Sequence, residues 1–573
     1  MNKPHRVVAG IDFGTYGTGF AWAPVSEDND EPGRRRISFF EDWAGQKSVG
    51  YPKNRSAVLL DAGGEFVTWG YEALAQMTSA PPGSGLRLRT GFKMALQPGP
   101  PDPAAAVAGD AGVVLAGHTA DAYRLTVLCL RQVVAMARER ITSGAYEDGD
   151  IRWCVTVPAI WGQYTRDLMF KAAVEAGLPD DPARLLLAQE PAVAALYCKA
   201  KGDAMLGTPG TRFLVIDAGG GTVDVSCYQV ADGGDLRELA PADGAETGSD
   251  FLNVAFLNEI LTERFGAGTI GRILAERRGA IADTMDSWER AKRAFSADSD
   301  EDVVIHLSAS FYAGLVREQA TGRWAGREEP ATEVVVSHAL VAALFEQSID
   351  KTMTCIERQL REMRAASGSS GGEVALLVGG FAESPYLRTG LTRRLAAQDV
   401  RVLVPAQPAV AVLAGAVHYA YDKSGFKSWR APFTLGFLAA MPFRPGIDPE
   451  SRKKINAAGQ ERCSGRFDIF FANRAEVTPG EPVTRTYTPI KENQKTIKLQ
   501  LLSADRADVE FSSEPGVETL ATLTVDLSTS LNRPVAERQV EVAMYLDQAN
   551  IKVEARNVET DEPQSVNIEW QNW

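Results

Sequence analysis

The chain has 573 residues, 45% of them hydrophobic and 23% charged, and 60 Lys and Arg against 74 Asp and Glu give a net charge of −14. Such a length spans about four domain-sized units, enough to bury a large core, and the ordinary composition excludes a fibrous or disordered chain. The acidic balance opposes sequence-independent binding to nucleic acid or an anionic membrane, and no unbroken apolar run reaches the ~20 residues of a membrane span.

The N-terminus is basic, but the apolar run behind it is too short for a signal core and ends at Asp12, so a cytoplasmic location is expected. Val7, Val8 and Ile11 read as a strand that opens onto Asp12-Phe13-Gly14-Thr15-Tyr16-Gly17-Thr18-Gly19. Glycines there let backbone amides approach phosphate oxygens, the Thr hydroxyls add donors, and an Asp at the strand end can hold a metal through water. Residues 26–36, 79–85 and 98–112, rich in charge or in Pro, Gly and Ala, read as loops. Between 119 and 142, Tyr123, Val127, Leu130, Val134 and Ala137 recur at three- and four-residue steps and predict one buried helix face.

Phe213 to Ile216 form a second strand that opens onto Asp217-Ala218-Gly219-Gly220-Gly221-Thr222-Val223-Asp224, the same strand-then-glycine pattern. Two such hairpins facing each other would clamp a nucleotide. Residues 297–302 and 318–330 read as loops, and Val341, Phe345, Ile349, Met353, Ile356 and Leu360 predict a long helix capped by Ser337 and fraying into 366–372. A third element, Val374 to Val378 followed by Gly379 and Gly380, repeats strand, glycine pair and helix start. Alternation of strand and helix over these four hundred residues argues for α/β architecture.

Beyond about residue 425 the period changes to two, in Ile497, Leu499 and Leu501, then Leu523, Val525 and Leu527, then Val540 to Leu546, then Ile551 to Ala555. Half-buried strands with turns at Pro479-Gly480 and Asn532-Arg533-Pro534 predict a separate antiparallel β-sandwich. Six scattered cysteines without a C-x-x-C pair, and five histidines without ligand-like spacing, indicate neither a disulfide framework nor a zinc site.

With these elements in place the chain resembles the actin-like ATPase superfamily and, within it, the 70-kDa heat-shock (DnaK-like) chaperones. Besides both glycine hairpins, Val155-Thr156-Val157-Pro158-Ala159 with Arg166 is similar to that family's interlobe switch, and Gln189-Glu190-Pro191-Ala192 to its first connecting helix. Glu289 to Ser296 resembles its adenosine-binding helix, Thr247-Gly248-Ser249-Asp250 the turn before it, and Ala431-Pro432-Phe433-Thr434 the opening strand of its peptide-binding domain. The third glycine element and the chain end look most like the divergent member-12 branch. The resemblance implies an actin-like domain over 1–425, with lobe I at about 1–210 plus the segment near 400–425 and lobe II at about 211–400. A linker at 426–430 and a β-sandwich, the peptide-binding domain, at 431–573 would follow, with no helical lid.

The resemblance further implies ATP or ADP with Mg²⁺ as cofactors. Asp12, Asp217 and Glu190 would hold the metal through water, and Gly14, Thr15, Tyr16, Gly219, Gly220, Gly221 and Thr222 would grip the phosphates. Glu190, Asp217, Thr222 and Lys93 would be catalytic: Glu190 orients the attacking water, and Lys93 reaches the terminal phosphate. Gly248, Glu289, Lys292, Arg293, Ser296, Gly379 and Gly380 would bind the nucleoside, and Pro158 and Arg166 would couple the lobes. Extended polypeptide and co-chaperones are the implied partners, with no nucleic acid. Three positions depart from the pattern: Glu383 replaces the family's adenine-stacking Arg, Ala409 replaces an Asp, and 421–430 holds little of the family's apolar linker. The residues leave two other functions open, a nucleotide-binding scaffold with little turnover and a sugar or polyol kinase of the same superfamily.

Overall fold

A computed structural model describes the chain except residues 1–4, 47–49, 82, 98–118, 145, 202–203, 277, 369–370, 456–458, 490–492, 548–549, 559–560, 562, 565 and 571–573. The 98–112 loop, one of the five histidines and part of the 366–372 run therefore lie outside the described residues. The chain divides into two compact units, one of Met1–Gly234 with Ala242–Gly425 and one of Asp235–Pro241 with Phe426–Trp573.

The first unit contains one strand plan twice. In its first half β1 (Val7–Phe13) pairs antiparallel with β2 (Gly17–Pro24) and parallel with β3 (Ile151–Val157), which pairs parallel with β4 (Leu185–Gln189). In its second half β5 (Arg212–Ala218) pairs antiparallel with β6 (Val223–Val230) and parallel with β7 (Glu373–Val378), which pairs parallel with β8 (Val400–Leu403). Every residue of β1 and of β7 is buried, as expected of strands covered on both faces. In both halves the hairpin turn follows an Asp at the carboxyl end of the leading strand, where ligands of open α/β sheets bind.

The predicted helices are present at Thr119–Thr142 and His338–Ser367. Ser337 caps the second, its hydroxyl accepting from the Leu340 amide at 3.3 Å, and Gly368 ends it with a left-handed φ of 65°. Helix Glu190–Ala200 carries Pro191 in its first turn, and its residues from Glu190 to Cys198 are all buried.

The second unit is built mainly of antiparallel strands. One sheet runs in the order Lys453–Ile455, Glu461–Phe471, Thr434–Pro442, Thr496–Ala504, Val517–Asp526 and Val566–Trp570, the other Val483–Tyr487, Val540–Leu546, Ile551–Asn557 and Pro563–Gln564. Burial alternates along Val540–Leu546 and Ile551–Asn557 as the period of two requires. Among the described residues after Tyr421, helix is confined to short 3-10 turns.

The segment expected as a poor linker, 426–430, is a strand of this unit. Phe426 pairs in parallel register with Leu236 and Ser428 with Arg237, the Arg430 amide donates to Glu238 at 2.8 Å, and the Trp429 indole donates to the Leu546 carbonyl at 3.2 Å. Phe426 and Trp429 are buried. These two aromatics are the large apolar side chains of the segment, and a count of aliphatic residues leaves them out.

Candidate nucleotide cleft

The two hairpin turns close alike. The Gly14 amide donates to the Gly17 carbonyl at 3.2 Å, and the Gly219 amide to the Thr222 carbonyl at 2.9 Å. The second turn is braced from behind by the segment before helix Ser249–Ala255, where the amides of Gly248, Ser249 and Asp250 donate to the carbonyls of Gly221, Gly219 and Gly220. The turns also meet: a β-carbon on Gly221 would lie 2.6 Å from the Thr15 hydroxyl, so this approach requires glycine.

Between the turns lies an open cleft. Its walls include Asp12, Gly14, Thr15, Tyr16, Lys93, Glu190, Asp217, Gly219, Gly220, Gly221, Thr222, Glu289, Lys292, Arg293, Gly379 and Gly380, so most of the residues singled out in the sequence come together. Tyr51, Lys53, Ser249, Phe381, Glu383 and Ser384 also contribute.

At the phosphate end, lysines and carboxylates are matched. Lys93 donates to Glu190 at 2.5 Å, with the two side chains 3% and 10% exposed, so Lys93 is a buried partner and not a solvated surface lysine. It follows strand Arg87–Thr90 and is anchored by its neighbour Phe92, which is buried and lies 6.1 Å from Phe13 between ring centroids. Lys53 donates to Asp12 at 2.6 Å, and the other oxygen of Asp12 accepts from the Thr156 hydroxyl at 3.2 Å. Burial works against the Lys53 charge, but Asp12 outweighs it and holds the ammonium above its usual range.

Burial pushes Glu190 up to about 7 against the pull of Lys93, with Asp12 and Asp224 adding to the rise. Burial and then the charges of Glu190, Asp224 and Asp12 hold Asp217 well above the carboxylate range. Burial also raises Asp224, which is opposed by hydrogen bonds from the Thr222 hydroxyl at 2.7 Å and the amides of Ala159 and Ile160 at 2.8 and 3.2 Å. Asp224 thereby ties the second turn to the segment after Pro158, and Arg166 holds that segment through the Ala159 carbonyl at 3.0 Å. Pro158 and Arg166 do not line the cleft.

At the other end, helix Ala282–Ala294 presents Glu289, Lys292 and Arg293. Lys292 is buried and donates to Glu289 and Asn253 at 2.8 Å each and to the Ser249 carbonyl at 3.1 Å. Burial raises Glu289, but Lys292 and Arg55 outweigh it and leave the carboxylate below its usual range. Arg55 lies over the Tyr16 ring at 3.5 Å, with Arg293 5.8 Å from its centroid. Ser296 is placed differently from expectation. The helix ends at Ala294, and the serine hydroxyl pairs with Asp298 at 3.4 Å outside the cleft walls. Gly248 likewise supports the turn from behind and does not line the cleft.

Among the described residues no group of three or more His, Cys, Asp or Glu is arranged to ligate a metal directly. A Mg²⁺ ion keeps several waters and takes one or two carboxylates together with substrate phosphates. Asp12 and Asp217, at the ends of equivalent strands, are the residues that fit it. Once bound, the ion would supply charge neutralisation of the phosphates.

A sequence model of the Hsp70 protein family matches residues 127–420. Human heat shock 70 kDa protein 12A is 27% identical over 99% of this chain and 92% of its own length, and human heat shock 70 kDa protein 12B is 26% identical over 98% and 91%. The chaperone protein HscA homolog of Methylibium petroleiphilum is 23% identical over 69% of this chain and 54% of its own. No helix among the described residues is long and apolar enough to cross a membrane. The family match covers more than half of the chain and the likeness to the two member-12 proteins covers nearly all of it: the chain belongs to the Hsp70 family, on its member-12 side.

Proposed function

We propose that this chain binds and hydrolyses ATP in the cleft, and that nucleotide state modulates binding of extended polypeptide by the C-terminal β-domain, read here as a sandwich over 431–573 joined through 426–430. The observation that carries the reading is the pairing of Lys93 with Glu190 beside two matching glycine turns. Phosphoryl transfer to water needs charge neutralisation and an aligned nucleophile more than covalent chemistry. Lys93 supplies charge at the terminal phosphate, Thr222 and the turn amides hold its oxygens, and Glu190, once ionised, orients the water and takes its proton. Asp224 acts through Thr222, whose hydroxyl it fixes, and its grip on the amides of residues 159 and 160 is the candidate path of coupling.

The coupling is tested with a labelled extended peptide bound to the full chain. ATP is expected to speed release by about fivefold or more, the lower range of allosteric couplings; release at the same rate with and without ATP would contradict it. A second reading, a nucleotide-binding scaffold with little turnover, draws on Glu383, an exposed carboxylate at the rim where a base would sit. It predicts tight binding of intact ATP without phosphate release.

A further inference from the structure

We propose that Lys53 is a built-in counter-cation for the metal-holding carboxylate Asp12, so that the cleft keeps its affinity for a nucleoside diphosphate when magnesium is withdrawn. The proposal rests on the nucleotide reading above and adds to it a residue that neither the motifs nor the resemblance pointed to.

Strand geometry delivers this lysine on purpose. Asn54 and Arg55 pair antiparallel with Thr18 and Gly17, so the chain next crosses Gly19, and Gly19 is the register partner of Asp12. A β-carbon on Gly19 would lie 2.2 Å from the Pro52 carbonyl oxygen and 3.1 Å from Cγ of Lys53. Any other residue at 19 would block the path that lets the lysine stem pass over β2 to Asp12. The last glycine of the first hairpin thus serves Lys53 rather than phosphate. The side chain is 12% exposed and its ammonium lies 2.6 Å from Asp12, which excludes a solvated surface lysine.

Charge counting gives the consequence. Asp12, Glu190 and Asp217 face the cleft; Lys93 is paired with Glu190 and Lys53 with Asp12, and among the described residues Asp217 has no ion pair. A polyphosphate arriving without a metal would meet Asp12 unpaired if Lys53 were absent, and meets it already paired with Lys53 in place. With a hydrated dication held at Asp12, the Lys53 ammonium on its flexible stem would be free to pair with phosphate oxygens.

The experiment is equilibrium binding of ADP to the full chain, by calorimetry, in Mg²⁺ and in EDTA. The wild-type dissociation constant should rise by less than about tenfold in EDTA, whereas Lys53→Met should raise it by about thirtyfold or more beyond its own Mg²⁺ value, and Lys53→Arg should stay near wild type. An equal Mg²⁺-to-EDTA ratio in wild type and Lys53→Met would overturn the role of Lys53 while leaving the nucleotide site standing. If Lys53→Met does not fold, the wild-type ratio decides alone, and a collapse of about a hundredfold in EDTA overturns the proposal. Failure of ADP to bind the wild type in either medium would overturn the nucleotide reading itself.

Discussion

Lys93 and Glu190 are 97 positions apart in the chain and 2.5 Å apart in the cleft. Their burial leaves each dependent on the other, because an unpaired buried charge is strongly unfavourable. Burial and nearby carboxylates raise both Glu190 and Asp217, so at neutral pH the ligand-free cleft retains protons that an ordinary carboxylate would have lost. A divalent cation held through water by these carboxylates would favour their ionised forms and so lower their proton affinity. Calorimetry of Mg·ADP binding in buffers of different ionisation enthalpy should therefore show net proton release near pH 7. Release should shrink by about pH 8.5, where a group titrating near 7 is already ionised, and fall in Glu190→Gln. Proton uptake at pH 7 would contradict the assigned directions.

The same residues mark how far the sequence is legible. Asp12, Asp217 and Glu190 stand at strand ends or helix starts, and the glycines and apolar runs around them announce those positions. Lys53 has no such signal, because its place depends on strand Asn54–Arg55 pairing with β2, a contact with no short-range pattern. The one trace of it is Gly19, a glycine beyond what the turn itself uses.

At the scale of elements, helix Ala282–Ala294 is held by a shared polar hub. Asn253 accepts from the Trp288 indole at 3.0 Å and from Lys292 at 2.8 Å, and donates to Glu289 at 2.7 Å. Trp288 is fully buried and stacks on Phe256 with centroids 4.5 Å apart. Asn253→Ala would take a partner from the buried Trp288 and Lys292 and from the partly buried Glu289 and Asp250, and the expected cost is on the order of 2–3 kcal/mol of stability. ADP affinity should weaken with it, since Glu289 and Lys292 lose their fixed geometry. Denaturant unfolding and ADP titration of the variant check both, and an unchanged unfolding midpoint would deny the hub. The helix is implied by the resemblance of Glu289 to Ser296 to the family's adenosine-binding helix, but its end at Ala294 is not. The chain turns extended at Phe295, whose ring stacks on Phe345 and Tyr386, and this tertiary contact carries Ser296 away from the cleft. The strand at 426–430 was missed for a similar reason: its partner lies near residue 236, far away in sequence.

Across the whole molecule, the duplicated strand plan explains why two short motifs two hundred residues apart carry so much information. Each hairpin begins the same unit of an antiparallel pair extended by parallel strands, so each Asp arrives at the same end of an equivalent sheet. Helical steps of three and four residues alternating with strands, against a run of period-two patterns, separate the α/β part from the β part, and the two compact units divide at Gly425 and Phe426, apart from the short piece Asp235–Pro241. That piece could not be assigned from the sequence, because it joins the second unit only through pairing.

The central claim is that the buried cluster around Glu190 hydrolyses ATP, and single-turnover release of phosphate from γ-labelled ATP, with the full chain in excess, tests it most directly. Wild type should convert the bound ATP to ADP and phosphate, and Glu190→Ala should bind ATP yet release phosphate about a hundredfold or more slowly, the usual loss of a general base. Bound ATP that stays intact on the wild type, or release that is equally fast in Glu190→Ala, would contradict it.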